Sequence, residues 1–158
     1  MQILPFGAAA AAPNLQPSCA LHPANRSFCW TAPPGTSPAL RGGMEWAEEM
    51  RRRTKAFALA IIRFCRTLPH TVEGDVFRRQ LLKSGTSVGA NYRATCRGRS
   101  PAEKKAKMGV VVEEADESQY WLEVLTEVNL GQAALRKPLL QEATELTAIF
   151  TTSYANMQ

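Results

Sequence analysis

Apolar residues recur at helical spacing between residues 46 and 150 of this 158-residue chain. In the first series, successive members are separated by 4, 4, 3, 4, 3 and 4 residues, which places them on one face of an α-helix. The members are Trp46, Met50, Thr54, Phe57, Ile61, Phe64 and Leu68. Pro69 follows and cannot continue a helix. The spacing therefore predicts a first helix that ends before this proline.

The second and third predicted helices are separated by a capping sequence. The second extends from about Asp75 to Arg97, and its inner face comprises Phe77, Leu81, Gly85, Val88 and Tyr92. The third starts at Ser100, with Pro101 at the first helical position. In such a capping box the serine hydroxyl accepts from the Glu103 amide, while the Glu103 side chain reaches back.

The third helix is expected to reach about Leu130, with Gly131 as its stop signal. Its inner face comprises Met108, Val111, Val112, Ala115, Leu122 and Leu125. The fourth is expected to start near Pro138 and to bury Leu139, Ala143, Leu146, Ile149 and Phe150. Nothing alternates with period two, and the connections are short. The pattern predicts an all-α, antiparallel up-down four-helix bundle over residues 44–158.

The first 43 residues have a different composition. They hold seven of the ten prolines, an alanine run at residues 8–12, two cations and no acid. Because no helical or strand period is present, we expect a disordered tail. It lacks the cationic start and long apolar run of a secretory signal. Met44 precedes the periodic part, and the alternative hypothesis is that translation begins there.

Other sequence features limit the cellular location and the kinds of chemistry that we expect of this protein. No apolar stretch approaches the roughly 20 residues that a membrane span needs. The four cysteines, Cys19, Cys29, Cys65 and Cys96, form no CxxC pair, which favours a reduced cytoplasm. The two histidines lie in the tail and in a loop, so no Glu-x-x-His metal site is expected. We predict no catalytic residue, no metal and no cofactor.

Charge is strongly segregated along the chain, whose formal net charge is +5. Nine cations and one acid lie between Arg78 and Lys107, whereas six acids and no cation lie between Glu113 and Glu127. Such a distribution suits an anionic partner or head-to-tail self-association.

The stretch Leu81–Ser100 combines small residues with part of this charge. Gly85 and Gly89 are one turn apart, so they would offer a smooth face for close helix packing. On a second face, residues 79, 83, 86, 90, 93 and 97 follow helical spacing and include Arg79, Lys83, Arg93 and Arg97. Three interpretations stay open. The cations form a solvated face, a surface for phosphates, or part of a helix-turn-helix with Gly85 in the turn and residues 87–97 as recognition helix.

Two motifs resemble a known family. The first comprises Gln80, Leu81, Ser84, Gly85, Ser87, Val88, Asn91 and Tyr92. The second comprises Glu113, Glu114, Ala115, Asp116, Glu117, Ser118, Trp121, Leu122 and Glu123. Together they resemble the bacterial 23S rRNA intervening-sequence proteins, a family that includes the accessory variability proteins of diversity-generating retroelements.

The resemblance implies a four-helix bundle, a ring-like homopentamer, and a basic surface that binds nucleic acid or a partner protein, with no established enzymatic activity. The chain departs from the family pattern at Ala94, where an acid is usual, and at Lys104 and Lys105, which replace an apolar pair. Both departures make the surface more positive.

The sequence thus predicts a non-enzymatic, oligomeric nucleic-acid-binding protein, accessory to an enzyme such as a reverse transcriptase. The predicted contacts are Arg79, Lys83, Arg93, Arg97, Arg99, Lys104 and Lys105. The predicted packing and motif residues are Gly85, Ser87, Gly89, Asn91 and Tyr92. A protein–protein adaptor without a nucleic-acid role is the alternative.

Overall fold

A computed structural model describes residues 38–157 as four α-helices. They are α1 (Pro38–Cys65), α2 (Val72–Cys96), α3 (Pro101–Glu127) and α4 (Ala133–Ala155). Each helix packs against its neighbours in sequence, and α1 also contacts α4, which closes the bundle. Gly85 faces Ile61 and Gly89 faces Thr54, so α1 and α2 are antiparallel. The predicted fold class is confirmed.

The core consists of the apolar faces that the periodicity predicts. Each helix contributes residues that are almost completely inaccessible to solvent, among them Ile61, Leu81, Leu122 and Phe150. The predicted members that stay partly accessible are Trp46, Phe77, Val112 and Ile149. Small polar residues are buried in the same core, and the hydroxyl of Thr54 donates to the Met50 carbonyl oxygen at 2.7 Å. Such local bonds allow a hydroxyl to be buried without an unsatisfied donor.

The first helix begins earlier than the tail boundary suggests. Residues 38–43, which the composition assigns to the tail, lie in α1, as does Met44. Residues 1–37 lie outside the described part of the chain, together with Cys19, Cys29 and His22. The disordered tail and the alternative start at Met44 therefore stay predictions.

The second helix is continuous through its glycines. Thr71 caps its start by accepting from the Gly74 amide at 3.1 Å. Arg78 donates to the carbonyl oxygens of Leu68 and Pro69 and so holds the preceding loop. Because α2 runs unbroken through Gly85, the turn that a helix-turn-helix requires at that position does not form.

The capping box at the start of α3 forms with one difference. The Glu103 amide donates to the Ser100 hydroxyl at 3.1 Å, as predicted. The Glu103 carboxylate, however, accepts from the backbone amide of Arg99 at 2.8 Å, one residue before the serine. Both bonds satisfy amides at the α2–α3 connection, which fixes the direction in which α3 leaves.

The predicted start of α4 near Pro138 is wrong, because the helix begins at Ala133 and contains the proline. A proline there removes the hydrogen bond to the Ala134 carbonyl. Both residues are exposed, so water can hydrate that carbonyl and the helix tolerates the loss. The predicted end of α3 is also late: the helix ends at Glu127, and Asn129 and Gly131 then adopt positive φ angles.

Candidate nucleic-acid interface

The small residues of α2 produce a close contact with α1. Gly85 and Gly89 are both buried. A Cβ atom at Gly85 would lie 2.8 Å from the Ile61 Cγ1 atom, which is closer than real Cβ contacts allow. A Cβ at Gly89 would lie 3.4 Å from the Thr54 carbonyl oxygen, an ordinary van der Waals distance. The steric constraint is therefore tightest at Gly85, where the Ile61 side chain fills the space, whereas at Gly89 the α1 backbone itself lies in van der Waals contact.

The other motif residues of α2 have structural contacts. The Asn91 side-chain amide donates to the Ser87 carbonyl oxygen at 3.0 Å. Tyr92 is buried, with its ring centroid 5.2 Å from that of Phe150 and 6.3 Å from that of Trp46. Burial raises the pKa of the Tyr92 hydroxyl well above its usual range. Asn91 and Tyr92 therefore contribute to the structure of the bundle, whereas the charged face of α2 lies at the surface.

The predicted cationic face of α2 is exposed, and its members face different neighbours. Arg79, Lys83, Arg93 and Arg97 are all exposed. Lys83 is directed toward α3, where its Nζ atom lies 3.7 Å from the Glu117 carboxylate. Arg93 and Arg97 instead line a groove on the α1 side. Within the predicted row of cations, Lys83 therefore faces α3, whereas Arg93 and Arg97 face α1.

A groove between α1 and α2 brings together cations from both helices. Its volume is about 630 Å³. It is lined by Glu48, Arg51, Arg52, Lys55 and Ala58 of α1 and by Thr86, Gly89, Ala90, Arg93 and Arg97 of α2. Five cations thus face one acid. We call this surface the α1–α2 groove.

Two of the cations in the α1–α2 groove have local partners. Arg51 lies 2.9 Å from the Glu48 carboxylate, and Arg52 pairs with Glu49. Within the described part of the chain, no carboxylate lies within ion-pair distance of Lys55, Arg93 or Arg97. The positive charge of the groove is therefore only partly neutralised by the protein itself.

The remaining predicted contacts lie outside the α1–α2 groove. Arg99 and Lys104 are exposed at the α2–α3 connection. Lys105 donates through its ammonium group to the Met157 carbonyl oxygen at 2.6 Å and lies 5.7 Å from the Tyr154 ring centroid. Lys105 thus attaches the end of α4 to α3, which gives it a structural partner.

Arg51, Arg52 and Lys55 line the α1–α2 groove but are not among the predicted contacts, because they lie outside the cation-rich run after residue 78. The sequence feature that could have indicated a second cationic surface is the run of three consecutive cations at positions 51–53. Adjacent positions are about 100° apart around a helix, so the three side chains cannot all face one neighbour. Arg53 is directed to α4, where its guanidinium binds Glu142 at 2.7 Å. Its hydrogen bond to Glu142 helps raise the Arg53 pKa above its ordinary value.

The outer side of α3 carries the opposite charge. Four carboxylates are exposed there, from Glu113, Asp116, Glu123 and Glu127. We call this surface the α3 acidic face. Its negative charge would repel a phosphate backbone.

No metal or membrane feature emerges in the part of the chain that the structure describes. Among those residues, no group of three or more His, Cys, Asp or Glu side chains could hold a metal ion. None of the helices in residues 38–157 combines the length and apolar character needed to cross a membrane.

Comparison with known proteins identifies the family. The family model described as 23S rRNA-intervening sequence protein matches residues 48–152, and the chain belongs to that family. A crystal structure of a protein with unknown function from the S23 ribosomal protein family of Bacteroides thetaiotaomicron is similar, with 25% sequence identity and a TM-score of 0.63. The match covers 70% of this chain and 98% of that chain. No curated protein matches.

Proposed function

We propose that this protein binds nucleic acid through phosphate contacts in the α1–α2 groove. The observation that supports the proposal is the convergence of five cations from two helices on one concave surface with a single acid. Neutralising phosphates releases condensed counterions, which favours binding irrespective of base sequence. The guanidinium groups of Arg93 and Arg97 also suit bidentate contacts with phosphate oxygens.

The protein acts in this proposal as a non-enzymatic accessory to a nucleic-acid enzyme, such as a reverse transcriptase. Phosphate contacts fix the position of a strand but carry no base information, which suits a protein that holds substrate for another enzyme. We further propose a homopentamer, in which the α3 acidic face of one subunit lies close to cations of the next. The segregation of charge between α1–α2 and α3 supports this arrangement.

The proposal is tested by removing equal charge from two sides of the bundle. Arg93→Ala/Arg97→Ala removes two cations from the α1–α2 groove. Arg63→Ala/Lys137→Ala removes two exposed cations from α1 and α4, outside that groove. We expect the first pair to weaken binding of an RNA or DNA oligonucleotide by about tenfold or more, and the second pair to have a much smaller effect. Both variants should keep the helical content and mass of the wild type.

Equal effects of the two pairs would mean that net charge alone attracts nucleic acid. No effect of either pair, combined with no RNA in the purified wild-type protein, would support the adaptor alternative instead.

A further inference from the structure

We propose that the α1–α2 groove selects single-stranded nucleic acid, RNA or DNA, by its shape. This inference rests on the proposed function and adds the class of nucleic acid that the groove accepts. It depends on three properties of the groove, namely its cationic walls, its floor of small residues and its narrow width.

The walls of the groove place cations on both sides of a narrow path. Arg51, Arg52 and Lys55 belong to the α1 wall, and Arg93 and Arg97 belong to the α2 wall. The lining residues extend over positions 48–58 of α1 and 86–97 of α2. At 1.5 Å per residue this corresponds to a length of about 16 Å. A backbone that follows the path meets positive charge from both walls along this length.

The floor of the groove is formed by small side chains. Ala58, Gly89 and Ala90 contribute almost no bulk, and the Thr86 hydroxyl already donates to the Leu82 carbonyl oxygen at 2.7 Å. The floor therefore leaves room for a phosphodiester backbone and offers no free hydroxyl proton to read a base. The volume of about 630 Å³ lies within the range of about 300–1,000 Å³ that is usual for small-ligand sites.

The narrow width of the groove favours a flexible single strand. The two helices are in contact at its floor, since a Cβ atom at Gly89 would lie 3.4 Å from the Thr54 carbonyl oxygen. A single strand can bend to follow such a groove, whereas the phosphates of a duplex follow a helical path around a rigid cylinder. A duplex is wider than its major groove of about 12 Å, whereas packed helices lie only about 8–10 Å apart, so a duplex cannot enter between them. A duplex would therefore contact the rim of the groove at one place and leave the floor empty.

Base stacking does not explain the expected preference, because none of the described residues that line the groove is aromatic. Proteins that bind single strands often combine a basic groove with aromatic platforms. Here the bases would point away from the floor, so we expect single strands of unrelated sequence to bind similarly.

The test fills the groove without changing its charge. Ala90 is an exposed floor residue, so Ala90→Phe places a bulky side chain in the path while the bundle core is unaffected. Ala148→Phe is the matched control, since Ala148 is exposed on α4 and does not line the groove. Dissociation constants are measured for a 12-nucleotide single strand, as RNA and as DNA, and for the corresponding duplexes, with wild type and both variants.

We expect wild type to bind both single strands about tenfold more tightly than the duplexes, a difference of about 1.4 kcal/mol. Ala90→Phe should remove that preference, whereas Ala148→Phe should retain it. Equal wild-type affinity for single strand and duplex would overturn the inference, as would an unchanged preference in Ala90→Phe. If only one of RNA and DNA shows the preference, a group other than the shape of the groove selects the strand, and the inference also fails. Failure of the proposed function is distinguishable, because Arg93→Ala/Arg97→Ala would then leave every affinity unchanged.

Discussion

At the scale of single residues, the two glycines of α2 have different roles although their spacing makes them equivalent. The sequence predicts that both lie on one face where another helix approaches. It cannot predict which of them is sterically required, because that depends on the α1 side chain opposite each one. The branched side chain of Ile61 fills the space at Gly85, whereas the contact at Gly89 is with the Thr54 backbone.

Alanine substitutions should separate the two glycines. In Gly85→Ala, overpacking against Ile61 is expected to cost about 1–3 kcal/mol, which outweighs the gain in helix propensity of at most about 1 kcal/mol. Gly89→Ala keeps an ordinary contact distance and should be neutral or stabilising. Gly89→Leu should be destabilising, because the longer side chain cannot fit between α2 and α1. The measurement is urea unfolding of all three variants, and equal stability of Gly85→Ala and Gly89→Ala would contradict the account.

Glu114 offers a second test at this scale. One of its carboxylate oxygens is buried without a hydrogen-bond partner among the described residues. Burial raises the pKa of Glu114, while the nearby Lys83 ammonium partly opposes the rise. An acid with a raised pKa in the folded state destabilises the fold above that pKa, and the cost disappears when the pH falls below the unfolded value.

We therefore expect Glu114→Gln to raise the melting temperature at pH 7. The gain should shrink as the pH falls through the range in which Glu114 becomes protonated, because the wild-type side chain is then neutral as well. Thermal unfolding between pH 3 and pH 8 measures this difference. A gain that is constant with pH would assign the effect to packing, and a loss at pH 7 would show that attraction by Lys83 exceeds the cost of burial.

At the scale of the helices, the periodicity predicts all four elements, and the errors occur at their ends. Pro138 is a reasonable start signal, but tertiary contacts override it. Arg136 is buried in the first turns of α4 and donates to the Leu130 carbonyl oxygen and to the Asn129 side chain. A buried arginine that satisfies the α3–α4 loop gives the helix a reason to begin before the proline, and this contact is not visible in local sequence.

The contribution of Arg136 can be measured by substitution with a residue of similar length. Arg136→Met removes hydrogen bonds that involve a charged donor, each contributing about 1.5–3 kcal/mol, and leaves a loop carbonyl without its donor. We expect a loss of at least about 2 kcal/mol in the free energy of unfolding. The neighbouring Lys137 is exposed, so Lys137→Met should change stability by less than about 0.5 kcal/mol. Similar values for the two variants would show that the loop is held by other contacts.

At the scale of the whole molecule, the sequence predicts the four-helix bundle and the segregation of charge along the chain, but only part of the candidate site. Arg93 and Arg97 are on the predicted face, whereas Lys55 lies on α1, outside the cation-rich run between Arg78 and Lys107. Antiparallel pairing brings residues 48–58 of α1 beside residues 86–97 of α2, so the groove exists only after folding. Lys105 has a structural partner that its place in a basic run does not indicate, namely the Met157 carbonyl oxygen after the end of α4, and its contact with nucleic acid stays a prediction.

The proposed pentamer leads to a prediction about salt. If exposed carboxylates of the α3 acidic face meet cations of the next subunit, added salt should weaken the assembly. Charges on a protein surface are screened beyond about 8–10 Å near physiological ionic strength. Light scattering coupled to size exclusion, on nuclease-treated protein, should therefore show a lower mass as salt rises. A mass that stays constant up to molar salt would mean that apolar burial holds the subunits together.

The central claim, that phosphates occupy the α1–α2 groove, is tested most directly by the salt dependence of binding. Each phosphate contact adds about 0.7 for a single strand, or about 0.9 for duplex DNA, to the slope of log affinity against log salt concentration. Arg93→Ala/Arg97→Ala should therefore flatten the slope by between about one and two for each subunit engaged, to a similar extent for unrelated sequences. A double variant that assembles normally and keeps the wild-type affinity and slope would contradict the claim and leave the groove as a solvated surface.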